Sequence, residues 1–444
     1  MTAAAATPAD ITHARVLKIA LPIVLSNATI PLLGAVDTGV IGQLGLAAPI
    51  GAVGVGAIIL ASFYWIFGFL RMGTSGLAAQ AHGAGDTGER AAVLYRALLI
   101  GLGAGIALVL LQGLIFRAAF AVAPASPQVE TLAQQYLSIR IWGAPATIAL
   151  YAVTGWLIAL ERTKAVFILQ VWMNGLNIAL DLWFVLGLGW GVPGVAVATL
   201  IAEWSGLALG LWFCRTAFGP VWQAARARLR DTAALRRMAS VNTDIMIRSV
   251  ILQGSFTTFI FLGAGLGDVT LAANQVLLQF IQVSAYALDG FAFAAEALVG
   301  QAVGARSVAA LRRAAWLASV WAAAGTVLLS AAFLLAGPAI IDLLTTEPMV
   351  RAAARDYLPW LIAAPLIGIA SWMLDGIFIG ATCTRQMRNA MLISVAVYAG
   401  ALTVLLPAFG NHGLWAGLML LNVTRGVTMG LYWPAVIRAA GARG

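Results

Sequence analysis

The apolar positions run in long unbroken blocks. Twelve of these blocks approach or exceed the roughly 20 mostly apolar residues that a helix needs to cross a bilayer. They fall at 16–42, 48–81, 91–118, 129–159, 165–187, 192–214, 238–264, 270–303, 309–336, 350–381, 388–408 and 414–437. A membrane barrel needs short segments in which apolar and polar residues alternate, and continuous runs exclude it. The pattern therefore predicts an all-α integral membrane protein with twelve transmembrane helices. The clear interruption is 219–237, between spans six and seven. It holds Arg226, Arg228, Arg230, Arg236 and Arg237. Such a segment is expected to lie on the cytoplasmic surface of the membrane.

The two halves match each other at a shift of 221 residues (301 − 80), which lays Gln80 on Gln301 and Gly83 on Gly304. The same shift lays Tyr136-Leu137 on Tyr357-Leu358, Gly155 on Gly376 and Gly189 on Gly410. An internal duplication predicts two six-helix lobes, at 14–216 and 238–440, joined by a basic linker at 217–237. Six spans return the chain to its starting side, so the halves share one orientation about an axis along the membrane normal. Secondary transporters are built this way.

Composition sharpens this picture. Of 444 residues, 61% are hydrophobic and 10% are charged, against roughly 25% charged in soluble domains. That excludes a soluble enzyme and a secreted disulfide scaffold. The net charge of +9 would suggest nucleic acid in a soluble protein; here it sets orientation. With the termini on one side, that side collects 19 of the 26 Lys and Arg, and the other has Arg117, Arg351 and Arg355. Cytoplasmic loops gather basic residues, so both termini are expected inside, in the inner (plasma) membrane of a bacterium. Residues 1–12 lack the basic start of a signal peptide. Cys214 and Cys383 form no metal-binding motif and are expected to be buried free thiols. No G-x-x-x-x-G-K-[ST] loop is present, so ATP hydrolysis is not expected, nor any cofactor or nucleic-acid partner.

Charges inside a span are costly and point to function. Asp37 lies in the first span, and Pro22, which removes a backbone hydrogen bond, lies about 22 Å before it along a helix. Asn174, Asn177 and Asp181 are spaced by three and four, which puts them on one helical face. A carboxylate with amide oxygens can coordinate Na⁺. It can also hold a proton, because burial disfavours the charged form, or simply glue helices together. Asp244 and Arg248 have the spacing of an in-helix ion pair, and Glu203 is expected to act similarly. Asp289 and Asp375 share the context Leu-Asp-Gly and suggest a second polar cluster in the other half.

These features together resemble the multidrug and toxic compound extrusion (MATE) family, in particular its DinF-like branch. The resemblance rests on Leu21-Pro22 through Val36-Asp37-Thr38, Asn174 to Asp181 with Gly194 to Thr199, and Asn242-x-Asp244-x-x-x-Arg248. It also rests on Leu271-Ala-Ala-Asn-Gln275, Leu288 to Glu296, Gly300-Gln301 and Leu374 to Ala381. It implies two lobes around a central cleft and export of amphipathic, cationic or polyaromatic compounds against inward H⁺ or Na⁺. It further implies a cation site formed by Asp37, Asn177, Asp181 and Thr199, with Tyr136 joining the network and Pro22 gating the first span. Na⁺ at that site is the only metal expected, and the chain is expected to work as a monomer. A lipid or polysaccharide-precursor flippase is the alternative transporter reading. An intramembrane enzyme would need a convergent acid, base or metal that the sequence does not offer.

Overall fold

The structure is a computed structural model that describes residues 11–30, 36, 39–43, 46–122, 126–219 and 221–441. All regular structure among them is helical. The first predicted span begins as α1 (His13–Ala28); Asp37 and Thr38 lie outside the described residues. Among the described residues, ten helices are long and apolar enough to cross a membrane. They are α2 (Ala47–Gly83), α3 (Thr87–Leu110), α4 (Pro127–Ala159), α5 (Thr163–Gly187), α6 (Gly191–Phe213), α7 (Thr232–Ala264), α8 (Asp268–Gly304), α9 (Val308–Leu344), α10 (Pro348–Gly380) and α11 (Thr384–Phe409). The twelfth span is the 21-residue helix α12 (Asn411–Leu431), made less apolar by Asn411, His412, Asn422 and Arg425. At 37 residues each, α8 and α9 are about 55 Å long, so they must tilt in or project from a hydrocarbon layer of about 30 Å.

The chain forms two compact units. The N-terminal unit holds Leu25–Ala81 and Asp86–Arg236, and the C-terminal unit holds Arg237 onward together with the described residues up to Val24 and His82–Gly85. The start of α1 thus packs with the second half of the chain. Gly290 makes this possible, since a Cβ there would lie 2.6 Å from the Ala20 carbonyl oxygen. Arg15 donates to the Gln301 side chain at 3.0 Å, and Arg313 Nε donates to the Ile11 carbonyl at 2.7 Å.

The duplication is visible in packing. A Cβ on Gly155 would run into the Arg71 carbonyl, and a Cβ on Gly376 would run into the Ala292 carbonyl. Both members of each pair are related by the same shift (376 − 155 = 292 − 71 = 221). In both halves, therefore, a bare glycine lets the fourth helix cross the second in near-backbone contact.

The C-terminal unit closes over an aromatic core, with Phe259 edge-on to Trp415 at 4.7 Å and Phe280 edge-on to Phe333 at 4.9 Å. Asn274 is buried inside it and satisfied: it exchanges bonds with Asn411 at 2.7 and 2.9 Å and accepts from the Trp415 indole at 2.9 Å. The basic linker is anchored at its helix, Trp222–Arg228. Tyr95 packs edge-on to Phe218 and Trp222, and Arg228 pairs with Asp86. Burial pushes the Asp86 carboxyl up, but the Arg228 guanidinium and the Glu89 and Gly88 N–H groups outweigh it and hold it below its usual value. Both cysteines are free, and Cys214 is buried. Cys383 is only half-buried, because it sits in the turn between α10 and α11; in that respect the sequence expectation is corrected.

Candidate ion-coupling site

The α5 face read from the sequence is a buried face. Asn174, Asn177 and Asp181 are 6%, 1% and 0% exposed. Asn174 and Asn177 each bond a residue outside α5. Asn177 Nδ2 donates to Thr199 Oγ1 on α6 at 3.0 Å, and the Thr199 hydroxyl donates to the Val195 carbonyl at 2.9 Å. Asn174 donates to Thr29 Oγ1 at 2.9 Å and accepts from Gln170 at 2.9 Å. Asp181 is the last α-helical residue of α5, and the chain then widens into a π-helical turn, Leu182–Gly187. Such turns loosen the backbone ladder and recur at functional sites. Asn177 and Thr199 therefore meet across α5 and α6, with Asp181 one turn further along α5; Asp37 lies outside the described residues.

Tyr136 is buried on α4 at 3% exposure. Gly56 makes room for it, because a Cβ there would lie 2.5 Å from the ring. The Tyr136 hydroxyl accepts from Arg140 Nε at 3.4 Å. Arg140 then makes a buried ion pair with Glu203 of α6 at 2.7 Å. Span four is broken at this point: the α-helix ends at Arg140, Ile141–Gly143 form a 3₁₀ turn, and the α-helix resumes at Ala144. Gly143 lies directly against the Glu203 carboxylate, where any Cβ would collide with it. The Trp204 indole ties α6 to the same turn through the Trp142 carbonyl at 3.0 Å. Sequence reasoning gave Glu203 no partner, because the two residues are 63 apart and no local spacing joins them.

The C-terminal unit gathers its charges differently. Asp375 on α10 bonds Arg248 of α7 and Arg425 of α12. All three are buried. Asp289 lies half-buried on α8, and Asp375 is held by the two guanidiniums. The in-helix pair expected for Asp244 and Arg248 gives way to pairs between helices. Asp244 takes Arg388 at 2.6 Å and Thr384 at 3.2 Å, both on α11, because its carboxylate and Arg248 point to different neighbours. Among the described residues no His, Cys, Asp and Glu cluster could hold a metal ion. Pro22 lies inside α1.

Comparison with known proteins bears on these features. The MatE family model matches twice, at residues 22–183 and 245–405, once in each half of the duplication. The chain is 41% identical over 425 residues to DNA damage-inducible protein F of Escherichia coli K12, covering 94% of this chain and 90% of that protein. It is 27% identical over 452 residues to the probable multidrug resistance protein NorM of Xanthomonas campestris, covering 93% and 92%. In fold it is similar to the Vibrio cholerae MATE transporter VcmN, with a TM-score of 0.84 at 19% identity, covering 96% of this chain and 97% of that one. The chain belongs to the MatE family, the multidrug and toxic compound extrusion transporters.

Proposed function

We propose that the chain is a secondary active antiporter that exports amphipathic cationic or polyaromatic compounds in exchange for H⁺ or Na⁺. The ion is taken at Asp181, with Asn177, Thr199, Tyr136, Asn174 and Asp37 completing the site. One observation carries this reading: a fully buried carboxyl one helical turn from a cross-helix amide–hydroxyl bond, at the mouth of a π turn. Carboxylate, amide and hydroxyl oxygens suit Na⁺, a hard ion. The same carboxyl can instead take a proton, and two nearby carboxyls share protons as a coupled pair. A cation moving through the whole field gains about 2.3 kcal/mol per 100 mV. The multidrug relatives support the substrate class. The Asp375 cluster is a poorer coupling site, because two arginines already occupy that carboxylate.

The test is efflux of ethidium from proteoliposomes under separately imposed pH and Na⁺ gradients. Asp181→Asn and Asp37→Asn keep size and remove the titrating charge. Each is expected to insert normally and lose gradient-driven efflux, at least tenfold. Wild-type rates in both would move the coupling site elsewhere.

A further inference from the structure

The duplication gives the polar face of α5 a counterpart on α11. The shift of 221 residues lays Thr163 on Thr384 and Gly189 on Gly410, and these pairs bracket the two helices. Between them it lays Asn174 on Val395, Asn177 on Tyr398 and Asp181 on Leu402. The same shift lays Asp37 on Thr258 of α7. The second half has thus exchanged two carboxyls and two amides for apolar groups and hydroxyls. All four counterparts line one cavity of about 580 Å³ between α7 and α11. The cavity lies wholly within the C-terminal unit.

Backbone and packing keep this space open. A Cβ on Gly254 would meet nothing within 4 Å. Tyr398 and Leu402 pack instead against Gly417 of α12, where a Cβ would lie 3.3 and 2.9 Å from them. Three further side chains give the apolar wall its polarity. Ser255 donates to the Ile251 carbonyl at 3.0 Å, Thr258 to Gly254 at 2.9 Å and Thr403 to Gly400 at 2.7 Å. Their protons are therefore spent on their own helices, and their oxygens keep lone pairs for a donor from outside. Among the described lining residues none carries a charge at neutral pH, so an ion placed here would lose its hydration without a counter-charge. The volume falls within the roughly 300–1,000 Å³ of small-molecule sites, which are mostly apolar with a few polar groups. We propose that this cavity is a substrate site for uncharged aromatic compounds that carry a hydroxyl or N–H donor. A lipid chain would fill the apolar wall and leave the three acceptors unused. The assignment names a substrate class for the proposed exporter and rests on that reading.

The test is photolabelling of the full chain in phospholipid liposomes with 4-(hydroxymethyl)benzophenone, an uncharged aromatic alcohol, followed by peptide mapping. Labelling of residues 251–262 and 395–407 is expected to saturate and to be displaced by benzhydrol, also uncharged, but not by ethidium, a cation. Gly254→Trp and Ala399→Trp fill the cavity from opposite walls at exposed positions, and whichever folds should lower this labelling at least fivefold. Thr258→Asp puts a carboxylate where the first half has Asp37. Ethidium should then displace the probe at a concentration at least tenfold below that needed in the wild type, as expected for a charge pair in a poorly screening interior. A merely structural wall would not show this reversal. Labelling that does not saturate, that falls elsewhere, or that persists in both tryptophan variants overturns the proposal. So does labelling seen in detergent and lost in liposomes, which would assign the cavity to a lipid chain. Ethidium efflux without saturable labelling overturns the proposal and leaves the exporter reading standing. Saturable labelling in a chain that exports no ethidium overturns the exporter reading, and with it the role of the cavity as a substrate site.

Discussion

At the scale of single residues, burial and partner decide what each intramembrane charge can do. Asn174, Asn177 and Asp181 were legible as one face because spacings of three and four are a property of one helix. The pairs Arg140–Glu203, Asp375–Arg248 and Asp375–Arg425 were not. Each joins residues 50 or more apart in sequence, and only packing brings them together. The same reason explains why Asp244 and Arg248, well spaced for each other, bond other helices. The two aspartates should respond differently to the same substitution. Asp375→Asn strands two buried guanidiniums, and breaking a buried pair from one side costs about 3–5 kcal/mol. An Asp181 carboxyl that holds a proton is neutral, so Asp181→Asn keeps both size and charge there and is expected to change stability by less than about 1 kcal/mol. Thermal unfolding of the purified variants in detergent checks the contrast; equal losses would place Asp181 in the same structural role as Asp375.

At the scale of elements, span existence was read correctly from run length alone, since no other structure satisfies a continuous apolar run in lipid. What the runs hide are irregularities inside helices. The π turn after Asp181 and the 3₁₀ turn after Arg140 lie in stretches as apolar as their neighbours. Of the two, the 3₁₀ turn had a local signal, in Gly143 and Pro145. Pro22 in α1 is a third interruption. Its ring removes one backbone donor and weakens the helix at that turn, which fits a first span that bends when the Asp37 region is neutralised. Pro22→Ala should restore the hydrogen bond, leave folding intact and slow ethidium efflux several-fold in proteoliposomes. Unchanged turnover would make the proline an architectural kink.

At the scale of the molecule, the duplication seen as matched letters reappears as matched contacts. Gly155 against Arg71 and Gly376 against Ala292 are the same crossing made twice. A methyl group at either glycine must push two backbones apart, a cost of about 1–3 kcal/mol. Gly155→Ala and Gly376→Ala should therefore lower the melting temperature by similar amounts, and a variant tolerated without loss would show that its crossing is not tight. The two halves do not divide at the linker alone, however, because α1 up to Val24 belongs with the second half. That has a consequence in time. Arg15 and its partner Gln301 are 286 residues apart, and a ribosome adds about 5–20 residues per second. The first helix to enter the membrane thus waits roughly 15–60 s for the helices it packs against. During that interval the face of α1 that holds Val16, Ile19, Ala20 and Ile23 lacks its final partners, so a part of the chain made much later completes the packing of the first helix.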